Sequence, residues 1–573
     1  MNRITRTLAT CLPIFGFAAT AVGFVPAVHA EDEHFPKIVT AQNGADELYK
    51  DLEYLLSLTN TNEQKQWAVI RDYMDVFLPG IDVKRPIRVD VILSEVDRYI
   101  SSFPITKIRN FRNNNLFPLG INTKKWKSKT RYKLNGAFVG FMRYKHKYAV
   151  IAEKVDEVPQ NIANPGTKAD ELLKGEYDLA GVAVNTDDGQ AERREHFKEK
   201  RKEILATLKQ GEKETLDDFD LRKTLLNTQL DELDRIVVEG ERLELNWKTQ
   251  VEDEVGAGGL YLKPLAGTSL EATFKLAGAE PSYFANISRH KSSILSFRLN
   301  HLLDDLRKGN LLNVSGILKD RSKKQTEADE TLDADEKTAR KQLSNVVYGI
   351  LEDGTNAGIA DGFLEAHSNE SGAPTLIGGL RTVDGTKAVE AISLLSMAHK
   401  GQQVEIDFAE QGDVKIHKLN IPETLHANFK QFFGSEDLYV GTSKDAIWVA
   451  MGQNAVDELK AAIQLASQPK PEGQNPPFLS LFAKMLPWIE LREMRSPEDG
   501  DKKLRGMALE AFKLGDDTFD ASLIRVDDHV EGQLNAHKGI LRFAGKVMAD
   551  FSEENLDDGN AVNANARIGN NAP

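Results

Sequence analysis

The chain has 573 residues, a formal net charge of −14, 41% hydrophobic residues and 28% charged ones. That length exceeds one ordinary domain, the apolar fraction suffices for packed cores, and the acidic balance excludes a general attraction to polyanions. The only cysteine is Cys11, inside an N-terminal segment that reads as removable, so the mature part offers no disulfide, thiolate nucleophile or Cys-ligated zinc.

Residues 1–30 read as a signal peptide. Arg3 and Arg6 make a positive start, Cys11 to Val25 is uncharged and apolar, and Val28-His29-Ala30 places small residues at −3 and −1. Cleavage is expected after Ala30, with export to the periplasm or the extracellular space. A long exported chain without disulfides suits a bacterial envelope. No later stretch approaches the ~20 apolar residues that a membrane-spanning helix needs.

Residues 31–185 read as an N-terminal α+β module. Helices are expected over 45–58 and 62–78, a strand over 86–93, a helix over 105–116, and strands around 134–142 and 148–152 joined by a turn at Tyr144-Lys145-His146-Lys147. Pro165 to Gln190, rich in Gly, Asn and Asp, reads as a linker. Residues 186–250 are densely charged. Phe197, Ile204 and Leu208, then Leu216, Phe219, Leu226, Leu230, Leu233 and Val237, recur at near-heptad spacing, so a charged helical hairpin or coiled coil is expected, with a break near Gly211.

Residues 251–359 read as mixed strand and helix. Residues 360–470 form the clearest module: strands at 363–367 and 375–381, a helix over 385–398, hairpins across 410–413 and 442–445, and a helix carrying Val456, Leu459 and Ile463 after a cap at Asn454. Residues 471–552 repeat the hairpin-then-helix order, with a strand at 486–491, a helix over 502–514, strands at 518–526 and 529–536, and a closing helix. Residues 553–573 are polar and read as a disordered tail. The expected class is α+β: repeated small modules of antiparallel sheet with helices packed on one face, plus the charged helical hairpin as an insertion.

Three stretches, Trp448-Val449-Ala450-Met451-Gly452-Gln453-Asn454-Ala455, LIGGLRTVDGTKA from Leu376 and KGILRFAGK from Lys538, resemble long exported proteins of planctomycete bacteria with no assigned function. The resemblance implies an envelope or periplasmic location. It brings no functional residues with it.

Catalytic motifs are absent. There is no G-x-S-x-G elbow, phosphate loop, H-E-x-x-H helix or dinucleotide fingerprint. Asp333-Ala334-Asp335-Glu336 opens like a calcium loop but has Thr338 where Gly is needed and Ser344 where Glu is needed, so it reads as a helix start. The richest polar stretch is Glu365-Ala366-His367-Ser368-Asn369-Glu370-Ser371 with Asp361 nearby. It is read as a turn. His417 reads as an outward-facing or satisfied strand residue, and His290 and His301 as a pair able to approach one another. No catalytic residue, metal ligand or cofactor is assigned.

One segment runs against the acidic balance. Tyr99 to Ala152 contains twelve Lys and Arg and no Asp or Glu, which leaves −26 on the remainder. Within it Lys124, Lys125, Lys127, Lys129, Arg131, Lys133, Lys145 and Lys147 are assigned as anion-binding, and Trp126, Tyr132, Tyr144 and Tyr148 are interleaved. If 124–133 is one strand, Lys125, Lys127, Lys129, Arg131 and Lys133 share a face. Such a face fits an anionic polysaccharide or a lipid surface, or docks on acidic helices of the same chain; a nucleic acid is not expected outside the cytoplasm. The functional expectation is an exported, non-enzymatic envelope protein that binds or scaffolds. The alternatives are a secreted hydrolase whose site assembles from separate loops, and a homo-oligomeric structural protein joined through the 191–244 helices.

Overall fold

The computed structural model describes residues 37–556 except 77, 93–97, 212–213, 369–372, 421–429, 471–474 and 496–501. The expected signal peptide and most of the polar tail lie outside the described residues.

The first half of the chain supplies β1 (Lys37–Gln42), α1 (Ala45–Ser57), α2 (Gln66–Asp75), β2 (Ile87–Ile92), β3 (Arg98–Pro104), β4 (Ile121–Lys125), β5 (Arg131–Gly136), β6 (Gly140–Lys145), β7 (Tyr148–Ala152), α3 (Pro165–Leu173), β8 (Leu179–Val184), α4 (Gln190–Thr207), α5 (Leu216–Glu239), β9 (Gly240–Gln250), β10 (Val255–Pro264) and α6 (Ser269–Leu276). The second half supplies β11 (Ser293–Leu302), α7 (Asp305–Ala328), α8 (Ala334–Asn356), β12 (Ile359–Ser368), β13 (Pro374–Arg381), α9 (Ala388–Ala398), β14 (Val404–Gln411), β15 (Val414–Asn420), β16 (Asp437–Thr442), β17 (Ala446–Met451), α10 (Ala455–Ala466), β18 (Leu479–Lys484), α11 (Met485–Arg495), α12 (Lys502–Phe512), β19 (Thr518–Val526), β20 (His529–His537) and α13 (Lys538–Leu556).

The strands pair antiparallel in one continuous sheet. Their spatial order is β4-β5-β6-β7-β3-β2-β1-β8-β9-β10, then β20-β19-β18-β11-β12-β13-β17-β16-β15-β14. The order is unchanged when each strand of the first half is exchanged with the strand ten places later. The helices follow the same exchange: α1 and α2 match α7 and α8, α3 matches α10, α4 and α5 match α11 and α12, and α6 matches α13. The protein is therefore an internal duplication, and its two halves meet at the β10–β20 pair.

The α+β class is as expected, and the repeated unit is half the chain. The matched hairpins of the repeat are β6–β7 and β16–β17; β19–β20 matches β9–β10 instead. Helices lie on both faces of the sheet. On one face Ala169 and Leu173 of α3 pack on Ala41 and Ala180, and Leu459 and Ile463 of α10 pack on Trp448, Phe363 and Ile416. On the other, α8 and α9 surround Leu380 and Ile447, and Phe274 of α6 meets Phe478 and Val530.

Several local expectations change. Pro165 to Gln190 is not a linker: Asn164 caps α3, accepting from the Gly166 N–H at 3.2 Å with Pro165 at the first helical position, and β8 follows. Residues 486–491 are helical, because Leu486 and Ile489 pack at helical spacing on Ala508 and Phe512; the strand is the preceding Leu479–Lys484. Residues 553–556 belong to α13. Asn454 caps α10 through a left-handed backbone (φ 58°) with no side-chain hydrogen bond. The charged helical hairpin is present as α4 and α5, with Phe197, Ile204, Leu226, Leu230 and Leu233 filling its seam. Its outer side is tied to α7 by Arg321–Asp218 (2.6 Å), Lys324–Asp217 (2.7 Å) and Arg307–Glu232 (2.7 Å).

Candidate functional site

Where the halves meet, side-chain alternation decides which face of the sheet is apolar. The pairings set Thr40, Gly181, Leu245, Leu260, Gly532, Leu523 and Leu479 in one row across seven strands. A second row on the same face runs Leu179, Trp247, Gly258, Leu534 and Ala521, and a third begins Ile38, Ala183 and Leu243. The opposite face carries Asn246, Gln533, Ser522 and Ser480 in the corresponding row.

On the apolar face glycines are interspersed among the leucines, and they leave a trough of about 710 Å³. A Cβ on Gly181 would find its nearest neighbour, Thr40 Cγ2, at 3.7 Å, and one on Gly258 would find Trp247 Cε3 at 3.5 Å, so both positions are recessed without being tightly packed. Ile236 and Val237 at the end of α5 wall one side. Trp247 closes another: its ring lies over Gly256, where Leu541 of α13 also approaches. Leu245, in mid-trough, is 43% exposed. Thr40, Asn185, Asn246, Ser522 and Gln533 are the polar residues of its lining, and Asn185 stands at the wall. The Asn185 amide donates to Val237 O (2.9 Å) and Gly240 O (2.6 Å), and its Oδ1 is buried without a hydrogen-bond partner.

Beside the trough two carboxyls meet. Asp178 precedes Leu179 of β8 and accepts from the Thr249 N–H at 2.6 Å. Asp51 of α1 faces it. Burial first, then the Asp178 charge, push the Asp51 pKa up to about 8, so the two carboxyls share a proton at neutral pH.

The assigned basic residues lie at the far edge of the first half. They do not share one face. The chain reverses between Trp126 and Arg131, with Lys127 in a left-handed turn position (φ 55°). Lys124 stands opposite Lys133, whereas Lys125 stands opposite Tyr132 and points to the other side of the sheet. Arg131 and Lys145 are half-buried and clamp a neighbouring loop, donating to Val158 O (3.1 Å) and Gln160 O (3.3 Å). Lys124, Lys125, Lys127, Lys129, Lys133 and Lys147 are exposed, and among the described residues none of them lies in an ion pair. Lys127 and Arg131 flank the Trp126 ring at 4.7 and 4.9 Å. The acidic helix α5 packs on α4, α6, α7 and β9. Lysines on the edge strand β4 also deter strand addition. The matching edge of the second half, β14, carries Glu405, Asp407 and Glu410, so the basic charge belongs to one copy of the repeat.

Of the polar stretch, Glu365 to Ser368 lie on β12 together with Asp361 and not in a turn, and Asn369 to Ser371 lie outside the described residues. Asp361 accepts from Ser282 Oγ and the Tyr283 N–H, both at 2.6 Å, and Glu365 accepts from the His290 N–H at 3.1 Å and from Ser293 Oγ. These carboxylates pin the segment that joins the halves. The serine donates to the carboxylate directly, with no imidazole between them. His290 stacks on His367 at 4.4 Å, and His301 Nε2 lies 2.7 Å from Arg307 Nη1, so the histidine expected near His290 is His367 and not His301. His417 is fully buried and satisfied, accepting the Asp407 N–H at Nδ1 (3.0 Å) with Thr442 Oγ1 at 2.9 Å from Nε2. Asp333 and Glu336 form a capping box. Among the described residues no cluster of three or more His, Cys, Asp or Glu is arranged to hold a metal ion, and no helix is long and apolar enough to cross a membrane.

The trough is hidden in the sequence when residues 240–250 are read as the end of the helical hairpin. Leu243, Leu245 and Trp247 alternate with Arg242, Glu244, Asn246 and Lys248, a period-two pattern that marks a half-buried strand. No protein-family model matches the chain, and comparison with curated proteins and with solved structures finds no significant match.

Proposed function

We propose that the protein is an exported, non-enzymatic envelope protein that binds a ligand with a hydrocarbon body, such as an acyl chain, in the trough at the junction of its halves. The observation that carries this reading is the trough of about 710 Å³, lined by leucines and glycines from β8, β9, β10, β19 and β20. Its volume is that of a small-molecule site, and its walls are mostly apolar. Each methylene removed from water there contributes about 0.8 kcal/mol.

Export is supported by the basic start, apolar core and small-residue end of residues 1–30. N-terminal sequencing of the protein secreted by a bacterial host tests it: a mature chain that begins at Glu31 supports export, and retention of Met1 in the cytoplasm contradicts it. Ligand binding is tested by titrating the delipidated protein with a fluorescent long-chain fatty acid. Saturable binding at one site supports the reading, and a linear, non-saturating signal contradicts it.

A further inference from the structure

The basic edge carries a second feature that its charge does not explain. Phe117 is 60% exposed, Val139 65% and Leu119 38%. They sit on two loops that touch. The Gly120 N–H donates to Phe117 O at 2.9 Å, closing a tight turn, and the Ala137 N–H donates to Gly120 O at 3.2 Å, which binds the 117–120 loop to the β5–β6 loop. A Cβ on Gly120 would lie 3.6 Å from Ala137 Cβ. Single exposed apolar residues are ordinary, but three at one tip with cations behind them are the pattern of an interaction site.

The strands set the distance between the two groups. β4 and β5 run away from these loops, and the Lys124–Lys133 pair lies three to four residues along them, roughly 10 Å behind the tip at the rise of a strand. Lys125 projects from the opposite face at the same level. An apolar tip that enters a bilayer interface is buried about 5–10 Å into the headgroup and acyl boundary, which brings cations placed roughly 10 Å behind it to the level of the lipid phosphates.

We propose that this corner docks the protein on an anionic lipid bilayer, with Phe117, Leu119 and Val139 entering the interface and Lys124, Lys125 and Lys133 meeting the phosphates. A polysaccharide would use the lysines and Trp126 but would leave Phe117 and Val139 in water. The proposal concerns a different surface from the trough, and either stands without the other.

The test is co-flotation of the full mature chain with phosphatidylcholine vesicles, with and without phosphatidylglycerol, beside a soluble polyanion, dextran sulfate. The expected result is binding to the phosphatidylglycerol vesicles that weakens with salt and falls by about tenfold or more in Lys124→Glu/Lys133→Glu. Phe117→Ser/Val139→Ser is expected to lose vesicle binding to a similar degree while its interaction with dextran sulfate stays unchanged. All four side chains are solvent-facing, so an unaltered thermal midpoint shows that both variants are folded. Vesicle binding that is unchanged in Phe117→Ser/Val139→Ser, or binding to dextran sulfate without any to vesicles, overturns the proposal.

Discussion

Leu260 and Leu534 stand on neighbouring strands, and each faces a glycine of the other: Leu260 is opposite Gly532, and Leu534 is opposite Gly258. The exchange of halves carries one pair onto the other. Leu179 and Leu479 are related in the same way, through their partners Trp247 and Leu523. The trough is thus centred where the repeats join, and neither half supplies it alone. In an antiparallel sheet one face can stay polar while the other is covered. Here the cover over the apolar face is incomplete along β9, β10 and β20.

The core of the second half depends on Trp448. It is fully buried, with Phe284 at 5.1 Å and Phe363 at 6.0 Å between ring centroids. Trp448→Ala should cost about 3–5 kcal/mol, read from denaturant unfolding. Trp448→Phe should cost markedly less, because the indole Nε1 has no hydrogen-bond partner to lose.

The crossover between halves depends on Asp361. Replacing it with Ala removes the acceptor from the Tyr283 N–H and the Ser282 hydroxyl. The expected loss is about 1–3 kcal/mol. Hydrogen exchange should show the loss concentrated in residues 280–293; exchange unchanged there would contradict the pinning role.

The Asp51–Asp178 contact makes stability depend on pH. The folded Asp51 pKa lies above its ordinary value of 3.8, so the native state holds a proton that the unfolded chain releases. The stability from this group is full below about pH 4 and declines as pH rises through the folded value. Asp51→Asn should therefore raise the thermal midpoint at pH 8 and leave it close to wild type near pH 4. Equal midpoints at pH 8 would show that the carboxyls do not share a proton.

The parts of this fold that were legible in the sequence are those whose pattern is local. The β16–β17 hairpin, α10 and the α4–α5 hairpin follow from apolar spacing and turn residues within a few positions. Duplication was only partly legible, because the repeats preserve side-chain type and not identity. Tyr148-Ala149-Val150-Ile151-Ala152 in β7 occupies the place of Ala446-Ile447-Trp448-Val449-Ala450 in β17. The recurring hairpin-then-helix order was visible, but which copies match depends on strand neighbours hundreds of residues apart. The excess of lysine in 99–152 was visible, whereas its division between two faces was not, because the reversal at Lys127–Thr130 has no Gly or Pro to announce it. The trough required β9, β10 and β20 to be adjacent, and that is a property of topology alone.

The most direct measurement compares wild type with Gly181→Leu in the fatty-acid titration. Gly181 faces the trough, and a Cβ there would meet only ordinary contacts, with Thr40 Cγ2 at 3.7 Å, so the added leucine is directed into the trough. The account predicts saturable binding by wild type and a loss of about tenfold or more in Gly181→Leu, equivalent to ~1.4 kcal/mol, with an unchanged unfolding midpoint. Equal affinity in the two proteins, or no saturable binding by either, would contradict it.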